Sequence, residues 1–342
     1  MQKLLDGLPK IIESAHGTGG RWTHELIESV FLPYFRSQPL QSLADQAVVP
    51  ESGTGRMAIS TDSFVVTPYR FPGGNIGDLA VNGTVNDLLM GGATPAYLTV
   101  AFVLMEGLRV DHLVEIVQSI ATAAAASAVS IIAGDTKVVC GKAEDGLFIT
   151  TTGVGFLPGG VNWGPEFIQP GDKIILSGTV ADHGASVLTK RYNLAFDTVI
   201  RSDTASLLPA VMAVRDLCGI RCMRDPTRGG LATTLAELSQ TSGLTLEAKE
   251  LCIPIRDDVR GLCEVLGLDP LYVANEGKLI AVVAPDVAST VLSRLQATEV
   301  ARDAAIIGTV TKSAPGYALL ETAIGAKRVL ELLSMEQLPR IC

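Results

Sequence analysis

The sequence predicts an α+β protein built from two α/β domains, and three observations carry that expectation. A chain of 342 residues exceeds what one ordinary core supports. Residues 56–156 alternate strand-like and helix-like runs in the order β-α-β-α-β-β, without a GxGxxG fingerprint. The stretch Leu157-Pro158-Gly159-Gly160-Val161-Asn162-Trp163-Gly164-Pro165 then breaks all periodicity. The expected organisation is a first domain over 1–157, a second over 166–333, and a mobile tail over 334–342 that carries Cys342.

In the first domain a helical pattern runs over 22–35, after the glycine-rich loop His16-Gly17-Thr18-Gly19-Gly20. A buried strand over 56–60 leads into Thr61-Asp62-Ser63, and 71–78 reads as a loop. The helix over 79–90 carries Asn82, Gly83, Asn86 and Asp87 in an apolar setting, which suggests a buried polar face. Asn82 and Asn86 share one side, whereas Asp87 is turned about 100° from Asn86. A strand over 97–104, a helix over 111–128 and a strand over 130–133 follow, the last ending at Gly134-Asp135-Thr136-Lys137. The strand over 147–156 is rich in β-branched residues.

Gln169-Pro170-Gly171-Asp172 turns into a strand over 173–177, followed by helices over 181–191 and 204–217. Asp225-Pro226-Thr227-Arg228-Gly229-Gly230 opens a helix that runs to 240, and the N–H groups of such a helix start suit a phosphate. Asn275-Glu276-Gly277-Lys278 enters a strand over 279–284, then come a helix over 286–295 and a strand over 304–310. Gly325 in the middle of 316–333 favours a hairpin over one long helix. Residues 186–220 carry no motif that points to a role.

Composition excludes several classes. A net charge of −9 without a basic run argues against nucleic acid as a partner. No apolar run approaches the ~20 residues of a membrane helix. Asp6 and Gly7 interrupt the start where a signal peptide needs an apolar core, so a cytoplasmic protein is expected. Six cysteines in so long a chain do not form a disulfide scaffold, and the five internal ones read as small apolar core residues. Pro339-Arg340-Ile341-Cys342, taken alone, reads as a surface thiol at a frayed end.

Acids beside glycine-rich turns recur through the chain: Asp62, Asp78, Asp87 and Asp135 in the first domain, Asp225 and Glu276 in the second. Several carboxylates beside phosphate-seating turns are what Mg²⁺ with ATP requires, because Mg²⁺ shares phosphate oxygens with few protein ligands. Neither a Walker A motif nor a kinase loop is present.

Residues 78–93, Ala133-Gly134-Asp135-Thr136-Lys137 and Asp225-Pro226-Thr227-Arg228-Gly229-Gly230-Leu231 resemble the aminoimidazole ribonucleotide synthetase superfamily, which includes selenophosphate synthetase. With Asn275-Glu276-Gly277-Lys278 and the ending Pro339-Arg340-Ile341-Cys342, the chain resembles the HypE family of hydrogenase maturation factors. That resemblance implies a homodimer joined through a β-barrel of first domains. It also implies a HypF-type carbamoyltransferase that loads Cys342, and a HypC–HypD complex that receives cyanide for the iron of [NiFe]-hydrogenase.

The implied chemistry is ATP-dependent dehydration of S-carbamoyl-Cys342 to a thiocyanate. It gives Glu276 the role of base and Lys137 that of its electrostatic partner. Asp62, Asp78, Asp87 and Asp225 are expected at Mg²⁺, with Asp62 and Asp225 also at the nucleotide. His16, Gly17, Gly19, Gly20, Asn82, Asp135, Thr136, Arg228, Gly229 and Gly230 complete the expected nucleotide site. The alternatives are a selenophosphate synthetase-like enzyme and a non-catalytic thiol carrier. The sulfur-free loop His16–Gly20 opposes the first, and the acid clusters oppose the second.

Overall fold

The computed structural model describes residues 10–13, 26–35, 56–141, 146–194, 199–312, 316–332 and 341. The first sheet contains β1 (Arg56–Phe64), β4 (Thr94–Met105), β5 (Ser130–Val139) and β6 (Leu147–Leu157), in the order β1-β6-β4-β5. β6 is antiparallel to both neighbours, while β4 and β5 are parallel and joined by helix α2 (Val110–Ala126). Helix α1 (Ile76–Met90) precedes β4. Residues 71–78, expected as a loop, instead contain a small β2–β3 ribbon (Arg70–Phe71 and Gly74–Asn75) and the first turn of α1.

α1 is apolar almost all round, so it is buried on nearly every side. Of its fifteen residues, all but Asp78 and Asp87 are buried. Its start is a capping box: Asn75 Oδ1 accepts from Gly77 N at 2.8 Å, and Asp78 Oδ1 accepts from Asn75 N at 2.7 Å. Gly77 permits close packing on α2, because a Cβ there would stand 2.4 Å from the Ile116 carbonyl.

The second sheet has seven strands in the order β13-β12-β9-β11-β7-β10-β8. They are β7 (Lys173–Leu176), β8 (Ile220–Arg224), β9 (Thr245–Lys249), β10 (Ile280–Val283), β11 (Ala305–Thr311), β12 (Ala318–Glu321) and β13 (Lys327–Leu330). Neighbours are antiparallel except β9 and β12. Every residue of β10, which lies between β7 and the edge strand β8, is buried. The expected hairpin over 316–333 is β12–β13, turning where Gly325 takes φ +82°. Around the sheet stand α3 (Asp182–Arg191), α4 (Leu208–Val214), α5 (Gly230–Ser242), α6 (Asp257–Leu266) and α7 (Ala288–Gln296).

The expectation that the internal cysteines are core residues holds for Cys222 and Cys263, while Cys140, Cys218 and Cys252 are exposed. Among the described residues no helix is long and apolar enough to cross a membrane.

The domains meet along α1. Asn86 is part of this seam: its Oδ1 accepts from Leu207 N at 2.8 Å and its Nδ2 donates to Ala205 O at 3.0 Å. One continuous core runs across the junction, including Leu79 and Leu89 of α1 with Leu207 and Val211. Replacing Asn86 by Ala leaves the buried Leu207 N–H and the half-buried Ala205 carbonyl without this partner. We expect a loss of about 2–6 kcal/mol in urea unfolding, from the penalty of about 1–3 kcal/mol per unsatisfied group. A loss below about 0.5 kcal/mol would contradict this bridging role.

Candidate active site

A cleft of about 620 Å³ opens where α1 ends against the turn into α5, lined by Ser60, Asp62, Asp87, Arg224, Asp225, Thr227 and Arg228 among others. Strand alternation turns Ser60 and Asp62 of β1 towards α1, and Thr61 and Ser63 to the opposite face. Ser60 Oγ donates to Asp87 Oδ2 at 2.6 Å, and Arg228 Nη2 lies 3.5 Å from Asp62 Oδ1. Asp225 directly follows β8.

The turn into α5 requires its glycines. Gly229 and Gly230 have φ of +76° and +62°, and a Cβ on Gly230 would lie 2.6 Å from the carbonyls of Leu271 and Val273. Among the described residues no side chain caps α5; Gly230 N donates to the Thr227 carbonyl at 2.9 Å, and the first-turn N–H groups after it have no capping side chain.

Glu276 lies deeper, 4% exposed, in a loop held from several sides. Asn275 Oδ1 accepts from Ala181 N at 2.7 Å, and its Nδ2 donates to Pro226 O at 2.8 Å. Glu276 N donates to Asp203 Oδ1 at 3.1 Å, and Lys278 Nζ donates to Asp203 Oδ2 at 3.1 Å in a buried ion pair. Gly277 is obligatory here, since a Cβ would stand 1.9 Å from Asp203 O. The Glu276 carboxyl reaches α1, where its Oε2 is 4.0 Å from the position a Cβ on Gly83 would take. Its Oε1 finds no hydrogen-bond partner among the described residues.

The electrostatics follow from this crowding. Burial, and then the charges of Asp203, Asp225 and Asp62, push the Glu276 carboxyl well above its usual range. Burial, followed by the Asp87 charge, raises Asp225 to about 7. Asp87 keeps a solvent-open edge, but loss of water raises its pKa too, with the Asp62 charge adding to that and Ser60 opposing it. Negative charge thus accumulates here against the guanidiniums of Arg224 and Arg228.

The structure brings together Asp62, Asp87, Asp225, Arg228, Gly229, Gly230 and Glu276 of the expected site. Asp62 stands within β1 rather than at its end, because the strand continues to Phe64. Asp78 is separated from Asp87 by about 13 Å of helix; it serves the capping box, and burial raises it to about 6. It lines a second concavity with Asn82, whose Nδ2 donates to Thr204 Oγ1 at 3.4 Å.

Asp135, Thr136 and Lys137 lie inside β5, not at a strand end. Register places Asp135 and Lys137 on the exposed face of the first sheet and Thr136 on the other. Lys137 Nζ pairs with Asp135 Oδ1 at 3.4 Å and is not beside Glu276 within the chain. Cys342 and His16, Gly17, Gly19 and Gly20 lie outside the described residues. Asp203 was missed by sequence reasoning, and its partner Lys278 was read only as part of the Asn275–Lys278 motif with no role assigned; the only signal for Asp203 was a polar run, Ser202-Asp203-Thr204, in an otherwise unreadable stretch.

A two-domain α/β chain with acids gathered at its seam falls in the class of AIR synthase related proteins. Residues 43–157 match the family described as AIR synthase related protein, N-terminal domain, and residues 169–320 match its C-terminal domain. Over 343 aligned residues the chain is 47% identical to the carbamoyl dehydratase HypE of Bradyrhizobium diazoefficiens, covering 100% of this chain and 99% of that protein. A crystal structure of hydrogenase maturation protein HypE in complex with ATP superposes with a TM-score of 0.92 at 44% identity, covering 96% of this chain and 99% of the other. HypE in a HypE–HypF complex superposes at 0.78 with 41% identity, covering 90% of this chain and 99% of that one. The chain belongs to the HypE family of carbamoyl dehydratases.

The raised pKa of Asp225 has a consequence for stability. In the unfolded chain this carboxyl ionises near 3.9, whereas in the fold it holds its proton to about 7. Folding stability is therefore lost as pH rises through that window. Asp225→Asn should raise the thermal midpoint of ligand-free protein at pH 8 by at least about 3 °C. The gain should shrink steadily as pH is lowered to 4. An equal gain at both pH values would contradict the assignment.

Proposed function

We propose that this chain uses ATP to dehydrate an S-carbamoyl group on its own Cys342, leaving a thiocyanate whose cyanide is destined for the iron of [NiFe]-hydrogenase. The observation that carries this reading is the seating of Ile341, the residue bonded to Cys342. Ile341 is buried where the domains meet, and its carbonyl is held by His183, near the segment that holds Glu276. The HypE–HypF complex supports a HypF-type carbamoyltransferase as the partner that loads Cys342. A HypC–HypD complex is the proposed cyanide acceptor, and the cytoplasm the proposed site of action.

Amide oxygen is a poor leaving group. Transfer of the γ-phosphoryl of ATP to that oxygen turns it into phosphate, and loss of both amide protons completes the C≡N bond. The sum is S-carbamoyl-Cys342 plus ATP giving S-cyano-Cys342, ADP and phosphate. Phosphoryl transfer depends on positioning and on charge neutralisation. Thr227, Arg228 and the first-turn N–H groups of α5 beyond Gly230 hold phosphates, with Gly229 and Gly230 permitting the approach. His16 to Gly20 would close over them.

Mg²⁺ fits this donor set as an ion carried with the nucleotide. Among the described residues no three His, Cys, Asp or Glu side chains form a cage, yet Asp62, Asp87 and Asp225 crowd one cleft with excess negative charge. When bound through these three, it supplies neutralisation of phosphate charge. Glu276 is the proposed base. Its raised pKa makes the ionised carboxylate a strong proton acceptor, and its Oε1, without a hydrogen-bond partner among the described residues, offers a lone pair to the amide N–H.

The outer face of the first sheet supports a homodimer: Met57 and Ile59, each 60% exposed, stand on it, as do Asp135 and Lys137. Pairing of two such faces would cover Lys137, and any action of Lys137 on Glu276 would then come from the second copy.

Intact mass of the C-terminal peptide tests the reading after carbamoylation and addition of Mg²⁺ with ATP. Loss of one water from Cys342 is expected; ATP consumption without it would overturn the dehydratase. Neither ATP use nor water loss would favour the thiol carrier. Cys342→Ala should abolish loading. Glu276→Gln should load normally but slow water loss by at least about 100-fold, and a normal rate would remove Glu276 as the base.

A further inference from the structure

His183, the first-turn histidine of α3, is 0% exposed, and both nitrogens of its ring are engaged. Its Nε2 lies 2.7 Å from the carbonyl oxygen of Ile341, and its Nδ1 lies 2.8 Å from Ser202 Oγ. A carbonyl only accepts, so Nε2 carries the proton and Nδ1 presents a lone pair. Ser202 must then donate its hydroxyl proton to Nδ1. Its oxygen accepts from Thr204 N at 3.1 Å, so the hydroxyl is directed from both sides.

The ring is also fixed from the first domain. Phe71 meets it edge-on with centroids 5.2 Å apart, and Ser202 N donates to Pro72 O at 2.8 Å. Burial holds the imidazole below its ordinary pKa, in keeping with the neutral tautomer. The carbonyl so held belongs to the peptide bond that joins Ile341 to Cys342.

We propose that His183, with its tautomer set by Ser202, is a positioning residue that latches the penultimate carbonyl of the chain at the domain seam and so presents Cys342 to the site. This rests on the role of Cys342 proposed above. One short segment serves three partners: Ser202 directs His183, Asp203 holds the Glu276 backbone, and Thr204 receives Asn82. Seating of the tail and placement of Glu276 therefore share a support that spans both domains. A shift of residues 202–204 moves both together.

The test uses the full chain without nucleotide and follows alkylation of Cys342 by iodoacetamide through the mass of its peptide, with exposed Cys140 as the internal control. Loss of one such hydrogen bond should raise the Cys342 rate about fivefold in His183→Phe, while the Cys140 rate stays the same. His183→Gln keeps an N–H donor and should return the rate to within about twofold of the parent. Ser202→Ala, which frees the tautomer, should fall between them.

In preloaded protein His183→Phe should slow single-turnover water loss with the KM for ATP unchanged, and His183→Gln should recover it. A Cys342 rate equal to the parent in His183→Phe overturns the latch, as does a Gln variant as fast as the Phe variant. Should the Phe variant not fold, the Gln and Ser202→Ala proteins decide by the same criteria. The alkylation result stands whether or not the parent dehydrates its carbamoyl group, so failure of the latch and failure of the dehydratase are read separately.

Discussion

Five carboxyl groups converge where the two domains meet, and most of the surrounding structure answers to the cost of keeping them there. Asp203 is matched by buried Lys278, Asp62 by Arg228, and Asp87 receives the Ser60 hydroxyl. Among the described residues Asp225 and Glu276 form no ion pair, although Arg224 and Arg228 stand near, and they hold their protons to higher pH instead. Uncompensated charge in a water-poor site is expensive, so a site of this kind favours a ligand that brings positive charge with it. A nucleotide that arrives with its divalent cation meets that condition, and it meets an uncapped helix start a few residues away.

Holding such groups at a seam demands that backbone come very close to backbone. Gly277 lets the Glu276 loop touch the Asp203 carbonyl, Gly230 lets α5 start against the Leu271 and Val273 carbonyls, and Gly83 makes room for the Phe64 ring. Asn86 and Asn275 do the complementary task, as each satisfies backbone groups that neither sheet nor helix could reach. Asn86 is buried because it joins the domains, and Asn275 because it ties three loops of the second domain together. A carboxamide offers donor and acceptor together without adding charge to a region already rich in it.

Much of this was legible in the sequence because it is periodic or local. The β-α-β-α-β-β order, the turn into α5 and the hairpin of β12 and β13 follow from patterning and glycine placement. Asp62 was misplaced relative to its strand because Ser60-Thr61-Asp62-Ser63 is polar throughout. Those residues face a cleft on one side and an uncovered sheet face on the other, so alternation of polarity is lost. Asp78 resembled a metal ligand because a capping box and a metal site draw on the same acid beside the same kind of turn. Asp203 was invisible: its role comes from contacts with Glu276 and Lys278, more than seventy positions away, and no local pattern announces it. Asp135 and Lys137 were legible as a motif, but their exposed place on β5 emerges only from strand register.

The central claim is that the seam directs the γ-phosphoryl of ATP to the oxygen of a carbamoyl group carried by Cys342. Labelling that oxygen with ¹⁸O and following it through one turnover tests the claim most directly. The label should leave in inorganic phosphate, in step with the appearance of thiocyanate on Cys342. Recovery of the label in water, with unlabelled phosphate, would contradict it.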